Sequence, residues 1–499
     1  MNNRKLKKIL KQNAVDNINP GSSRPSYKTV RHIVSAVACL LAVCLIGVGY
    51  VTMVRFVGRP SDANDGSTPS SQPGNNSSQS GLSSDTATSE TTDVITDSDT
   101  AAGTDKPYGL LGDTVSVYTV NRGHFDEWGG DNLTGEYIHD MLVVRNNQVK
   151  DLLNCNIDIS YSESDDKLTK DVLNLVLSAS GERIIVSAPA GVTAELLSKG
   201  LLSDLNASEN LDFTASCWDS SMAEALEIGG KLYFATGDIS INTVLSAQFI
   251  LSNTGMLAAA GITDPYALVR EGKWTLETVL ALAKNGNGLY LGTGNGCIAL
   301  INAAGARLTG NDLGLSSDWD NGRLSSLCGL LAWTDAVSTA TPDSASSMLS
   351  VRSLGYLISL TSDQSISDSY DILPLPKADE TDRNYRAPLS GSAMYYSIPM
   401  LNGAEDAACV MQCTASAMNN DIYDTLAMRF CLNTRSAEML ELIMDNMCYC
   451  LDTALSLNSA GGVSLTNVIG AGKELNTALA VNRKLLEVRL ATLVASISE

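Results

Sequence analysis

The sequence predicts an α/β fold with a mostly parallel sheet and helices on both of its faces. Residues 112–121 (GDTVSVYTVN) alternate like a strand. Helical periodicity follows at 135–154, a strand pattern at 155–161, a second helical pattern at 165–178 and an apolar strand-like run at 183–188. Such βαβα alternation requires crossover helices between parallel strands. Apolar residues make up 44% of the 499 positions, which is enough for a sizeable core.

The chain begins with a basic tail, residues 1–32, in which eight Lys and Arg stand against one acid, Asp16. Residues 33–56 (IVSAVACLLAVCLIGVGYVTMVRF) form an apolar run of 24 residues broken only by Arg55. That is long enough to cross a bilayer and longer than the apolar region of a signal peptide. Eight basic residues before the run, against Arg55 at its far end and Arg59 after it, keep the amino terminus in the cytoplasm and export the rest, so a single-pass cell-membrane protein is expected. A cleaved lipoprotein signal is the competing reading, and both candidate cysteines fit it poorly. Cys39 has almost no apolar run before it, and Cys44 follows Val43 where a small residue is required. Residues 57–106 are rich in Ser, Thr, Asp, Gly, Asn and Pro and cannot bury enough surface to offset the entropy of ordering. They predict a disordered stalk with a reach of roughly 40 Å. The folded region is expected over 107–499. The first 59 residues carry a net +9, so the formal total of −21 leaves −30 beyond them, a charge that repels phosphate backbones and argues against nucleic acid as a partner.

Within the folded region the apolar run 231–236 predicts a buried strand that ends at Gly237-Asp238. A helix is predicted from 242 to about 260, with Val244, Leu245, Phe249 and Ile250 at helical spacing and Gly261 as its stop. Asp264 caps a short helix with Pro265 at its first position and Gly272 at its end; Thr275 caps the next. Further helices are predicted at 324–337, 402–418, 421–430, 434–447 and 471–496, and a late strand at 370–377 (YDILPLPK).

Several of these stretches, in order, resemble the extracellular solute-binding proteins, the receptor subunits of ABC importers, in their Gram-positive form. The resemblance runs through Arg145-Asn146 in GEYIHDMLVVRNNQVKDLLNCNIDIS and Gly200-Leu201-Leu202-Ser203-Asp204-Leu205. It continues through Trp218-Asp219, Gly230-Lys231-Leu232-Tyr233, the Gly272-Lys273-Trp274-Thr275 junction, YDILPLPK and MRFCLNTRSAEMLELIMDN. It covers most of 112–490, with 286–370 unsupported. It implies a two-lobed periplasmic-binding-protein-like fold (type II-like) on the anchor and stalk. It also implies capture of a small solute, a sugar or oligosaccharide, between lobes that close on it, and ABC permease subunits as partners. A sensor or scaffold using the same fold without transport is the alternative, and the uncleaved anchor with its cytoplasmic tail speaks for it.

Little in the sequence points to catalysis, a cofactor or a metal. Of three histidines, His32 lies before the span, and His124 and His139 lack a second ligand at metal spacing. His124-Phe125-Asp126-Glu127 reads as a loop after the first strand. Gly292-Thr293-Gly294-Asn295-Gly296 lacks the Lys-Ser/Thr of a phosphate loop and reads as a turn. Nine of eleven cysteines lie outside the apolar span, an odd number, and buried free thiols are expected rather than disulfides. Aromatics are scarce at 5%, and sugar receptors stack rings on Trp or Tyr while carboxylates take hydroxyls. The candidate ligand contacts are therefore Trp218, Asp219, Asp238, Trp128, Tyr395 and Tyr396, with Trp218-Asp219 the leading pair. Trp274 is expected to pack.

Overall fold

The computed structural model describes residues 110–498 apart from 111, 121–124, 131, 286–287, 292–295, 333–346, 363–368, 418–421 and 459–462. The basic tail (1–32), the expected membrane span (33–56) and the stalk (57–106) lie outside the described residues, as do His124 and positions 292–295. Among the described residues no helix is long and apolar enough to cross a membrane.

The chain runs through β1 (Thr114–Thr119), α1 (Tyr137–Leu153), β2 (Asn156–Tyr161), α2 (Asp165–Leu177), β3 (Arg183–Pro189), α3 (Ala190–Ser198) and α4 (Ser220–Leu226). Next come α5 (Ile241–Leu245), β4 (Gln248–Asn253), α6 (Thr254–Ala259), α7 (Pro265–Arg270), α8 (Leu276–Asn285), β5 (Leu289–Tyr290), α9 (Gly296–Ala303) and α10 (Arg323–Ala332). They are followed by β6 (Leu349–Ser353), α11 (Gly355–Ser362), β7 (Tyr370–Leu373), β8 (Ala387–Pro388) and β9 (Met394–Ser397). The last part is helical: α12 (Ala404–Ala417), α13 (Ile422–Phe430), α14 (Thr434–Asp445), a short β10 (Met447–Cys448), α15 (Leu451–Ala454), α16 (Leu465–Gly470) and α17 (Leu475–Ser498).

The first lobe is built on a sheet of order β2-β1-β3-β9. Val117 of β1 pairs with Ile159 on one side and Ile185 on the other, both in parallel register. The side chains of Val115 and Val117 are wholly buried, which is why β1 can sit at the centre. The crossover helices start where short polar side chains supply caps: Glu136 accepts from the His139 amide at 2.8 Å and Ser164 from that of Lys167 at 3.2 Å. Asn154 then ends α1 in the left-handed region at φ 47°. β9 returns antiparallel against β3, Ser187 opposite Tyr396.

The second sheet has order β5-β6-β4-β7 and is mainly antiparallel, so the parallel arrangement expected from the sequence holds for β1, β2 and β3 and not for this lobe. Its central strand, β4, lies inside the segment read as one helix over 242–260. There the chain forms α5, then β4, then α6. Phe249 and Ile250 are fully buried with β6 and β7 on either side, and a short run that is apolar throughout does not declare its period. The neighbouring expectations hold. Asp264 caps α7 by accepting from the Ala267 amide, Gly272 closes it at φ +71°, and the Thr275 hydroxyl accepts from Thr278 N at the start of α8. Trp274 is buried and donates Nε1 to Pro374 O at 2.8 Å, a packing residue.

Two segments pass between the sheets side by side, 236–247 and 389–394. Ala247 bridges Leu389, and Ser390 N donates to Ser246 O at 2.9 Å. In 231–236, expected as a strand, residues 232–236 are buried but pair with β9 only at Ala235–Tyr396. The next ladder bond would use Met394 O. That oxygen instead accepts the hydroxyls of Thr236 at 2.7 Å and Thr243 at 2.8 Å, and Gly237 turns the chain away at φ +119°. Side-chain hydroxyls thus end the ladder where the chain leaves the first lobe.

Candidate functional site

A small cavity, about 10 Å³, opens at the carboxyl ends of the first sheet's parallel strands. Thr119 and Val120 end β1, Tyr161 ends β2, Ser187 lies in β3, and Met394 begins β9. The wall is the segment 125–128 together with Asn242 from the crossing segment. Open α/β sheets bind ligands at this edge because loops, not side-by-side strands, meet there. The space admits about one water molecule.

The wall is held by a buried polar network. Asn242 pairs with the Phe125 backbone, donating Nδ2 to its carbonyl at 2.7 Å and accepting from its amide at 3.2 Å. Asp126 Oδ1 accepts from the amides of Trp128 at 3.3 Å and Gly129 at 2.9 Å, while Oδ2 accepts from the Tyr161 hydroxyl at 2.5 Å. This turn needs glycine at 129, since a Cβ there would stand 1.8 Å from Asp126 Oδ2. Glu127 points inward. Its Oε1 accepts from Ser240 Oγ at 2.5 Å and from the Asn242 amide at 2.7 Å, and Oε2 accepts from the Tyr396 hydroxyl. Burial and then the Asp126 hydrogen bond push the Tyr161 phenol well above its usual range; burial and the Glu127 charge do the same to Tyr396.

Arg145 anchors this wall to α1. Its guanidinium is buried and donates to Ile239 O at 3.0 Å, to Glu127 O at 2.5 Å, and to Asn146 Oδ1 at 3.0 and 2.8 Å. Asn146 Nδ2 adds a bond to Glu127 O at 3.2 Å. Burial holds the Arg145 pKa below its ordinary value, opposed by the Tyr396 and Glu127 charges. The guanidinium lies over the Trp128 ring at 5.3 Å, and the Tyr396 ring is tilted against the same indole with centroids 6.0 Å apart. Trp128 is 4% exposed, and its Nε1 has no hydrogen-bond partner among the described residues. A buried donor without a partner is uncommon in a folded protein, and this one belongs to a residue that lines the cavity.

Of the residues expected to touch ligand, Trp128 lines this cavity and Tyr396 stands behind it on Glu127. Asp238 is half-buried in the turn before Ser240 and does not line it. Tyr395 points to the other face of β9, edge-on to Phe234 at 5.6 Å. The leading pair is placed elsewhere. Trp218 is 3% exposed, packs on Phe213 at 5.0 Å and donates Nε1 to Gln412 of α12 at 2.9 Å. Asp219 caps α4 by accepting from the Ser221 amide. Both side chains are thus committed to packing and capping inside the first lobe. Asp126, Glu127, Tyr161 and Asn242 were not singled out in the sequence as ligand contacts. The signal that points to them is position: acids and an aromatic directly after the first parallel strand, where the binding edge must lie. Among the described residues no three His, Cys, Asp or Glu side chains are placed to hold a metal ion.

The uncharacterized protein lmo0859 of Listeria monocytogenes shares the fold, with a TM-score of 0.53, 11% identity, and coverage of 76% of this chain and 99% of that one. Other structural neighbours are solute-binding proteins. The cyclic alpha-maltosyl-1,6-maltose binding protein of Arthrobacter globiformis matches at TM-score 0.47 and 13% identity over 77% of this chain and 97% of its own. An extracellular solute-binding protein family 1 member from Alicyclobacillus acidocaldarius matches at 0.45 and 10% over 76% and 98%. At these identities the likeness concerns the fold, and the first of the three carries it. No protein-family model and no curated protein matches the chain.

Proposed function

We propose that this chain is a membrane-anchored extracellular solute-binding protein that captures a small solute, a carbohydrate, for an ABC importer. The observation that supports it is the cavity at the carboxyl edge of the β2-β1-β3 sheet, beside the two crossing segments and walled by Trp128, Asp126, Tyr161 and Asn242. An indole with an open N–H, a carboxylate and an amide are the groups that grip a sugar, one packing its C–H face and the others its hydroxyls. A cavity of about 10 Å³ holds no sugar ring, so binding requires the lobes to separate first and close afterwards. The anchor at 33–56, the stalk at 57–106 and the binding domain at 107–499 belong to this proposal. A thermal-shift screen of the full chain against mono- and oligosaccharides tests it: a cognate sugar raises the melting temperature of the native protein and fails to do so in Trp128→Ala. No response across the panel would overturn the carbohydrate assignment.

The second reading is a sensor or scaffold that keeps the fold without transport. Glu127 favours it, because a carboxylate of the chain itself already takes the Ser240, Asn242 and Tyr396 donors at the base of the site. Permease genes adjacent to the coding gene speak for import, and their absence together with a silent sugar screen for the second reading.

A further inference from the structure

Away from the cavity, the short strand β10 and the residues after it bring two thiols to a half-buried cation, Arg307. Arg307 donates Nη2 to Cys448 Sγ at 2.9 Å, and its other donors go to the carbonyls of Asn302 at 3.0 Å and Ala306 at 2.9 Å. No carboxylate lies within ion-pair distance of Arg307 among the described residues, so the sulfur is the ionisable group in direct contact with this charge. Cys448 is half-buried, whereas Cys450 is buried, its sulfur 3.8 Å from Cys448 O. The other charged groups facing the pair are Arg386 and Asp452. Asp452 is occupied by the amides of Leu308 at 2.8 Å and Thr309 at 3.1 Å.

From this geometry we propose that Cys448 is a peroxide-reactive thiolate and that Cys450 resolves it, making Cys448-Tyr449-Cys450 a site of reversible oxidation. The charge balance agrees. The neighbouring Cys450 thiol, opposed by burial and aided by the guanidinium groups of Arg307 and Arg386, holds Cys448 below the usual thiol range, while Cys450 is pushed above it. Cys297, Cys328 and Cys431 go the other way, pushed up by burial to about 11, 12 and 11. In the first step the Cys448 thiolate attacks one oxygen of a hydroperoxide. The O–O bond breaks, a sulfenic acid forms, and hydroxide or alkoxide leaves and takes a proton from water. Next the Cys450 sulfur attacks the sulfenic sulfur, its thiol proton and the sulfenic hydroxyl depart as water, and the S–S bond closes. The two thiols lose two electrons, and the peroxide gains them.

The test uses the reduced full chain and reads each cysteine by peptide mass. Iodoacetamide should alkylate Cys448 already at pH 7, more than about tenfold faster than the half-buried Cys431, since an unperturbed thiol is only about 3% ionised there. Stoichiometric hydrogen peroxide should remove two hydrogens from the peptide that holds both thiols. In Cys450→Ser the reaction should stop at a sulfenic acid on Cys448 that dimedone traps. Arg307→Met should abolish the advantage at pH 7; if that variant does not fold, the pH profile of the native protein decides alone. Alkylation of Cys448 that rises only above pH 8 together with Cys431, or peroxide oxidation that leaves the 448–450 pair reduced, overturns the proposal.

Discussion

Replacing Arg145 with lysine keeps the charge and removes the fork. The guanidinium spans acceptors on three residues, Ile239 O, Glu127 O and Asn146 Oδ1, and an ammonium on a shorter reach cannot bridge all of them. At least two of those buried bonds are lost. Each orphaned buried acceptor costs about 2 kcal/mol, and Glu127 O keeps the Asn146 Nδ2 bond, so Arg145→Lys is expected to destabilise the protein by about 2–4 kcal/mol. Urea unfolding of the full chain followed by tryptophan fluorescence measures it. Lys167→Ala is the control, because it removes only a solvent-exposed i,i+4 pair with Asp171 and is expected to leave the unfolding midpoint unchanged. An Arg145→Lys cost below about 1 kcal/mol would refute the reasoning, since the wall 125–129 would then hold without its anchor.

Trp218→Ala should lower stability by about 3–5 kcal/mol while leaving a ligand-induced melting shift intact, and Trp128→Ala should lose that shift; the opposite outcome in a thermal-shift assay restores Trp218 to the binding site. Gly129→Ala should cost about 2 kcal/mol by urea unfolding, because its Cβ displaces the Asp126 carboxylate from Tyr161, and an unchanged midpoint would contradict the tight turn. Asp452 is raised from 3.8 to about 6, chiefly by burial. Its folded pKa lies above the unfolded one, so the stability it contributes is fully present below pH 3.8 and is lost as pH rises through about 6, a difference of about 3 kcal/mol. Comparison of native protein and Asp452→Asn by urea unfolding between pH 4 and pH 7 should show that difference in the native protein alone, and parallel profiles would disprove it.

What the sequence made legible follows from how locally each element is determined. The strand pattern of β1, the caps at Asp264 and Thr275 and the Gly272 stop are encoded within a few residues, and the structure has them where the residues say. β4 was not legible, because a strand covered on both faces shows no alternation and its neighbours β6 and β7 come about a hundred residues later. The end of the 231–236 ladder depends on Thr243 and Met394, again distant in sequence. Arg145-Asn146 stood out in the resemblance, yet its partners, Glu127 and Ile239, are set by the fold alone. Trp218-Asp219 was ambiguous for a related reason: an aromatic next to an acid in a polar stretch looks the same whether it grips a sugar or, as the Asp219 cap shows here, opens a helix.

Glu136 serves two masters with separate oxygens. Oε2 accepts from the His139 amide and caps α1 in the first lobe, while Oε1 meets Arg429 of α13, which packs with α14 on β7 in the second, at 3.2 Å. Any parting of the lobes breaks the ion pair and spares the cap, so the helix does not fray when the clasp lets go. Both side chains are well exposed, which limits the clasp to about 1 kcal/mol, roughly a fivefold weight on the closed arrangement, and makes it sensitive to salt. On the proposed lobe motion, the ionic strength of the medium would act as a dial on how often the cavity edge meets solvent, set by a residue that does not line the cavity.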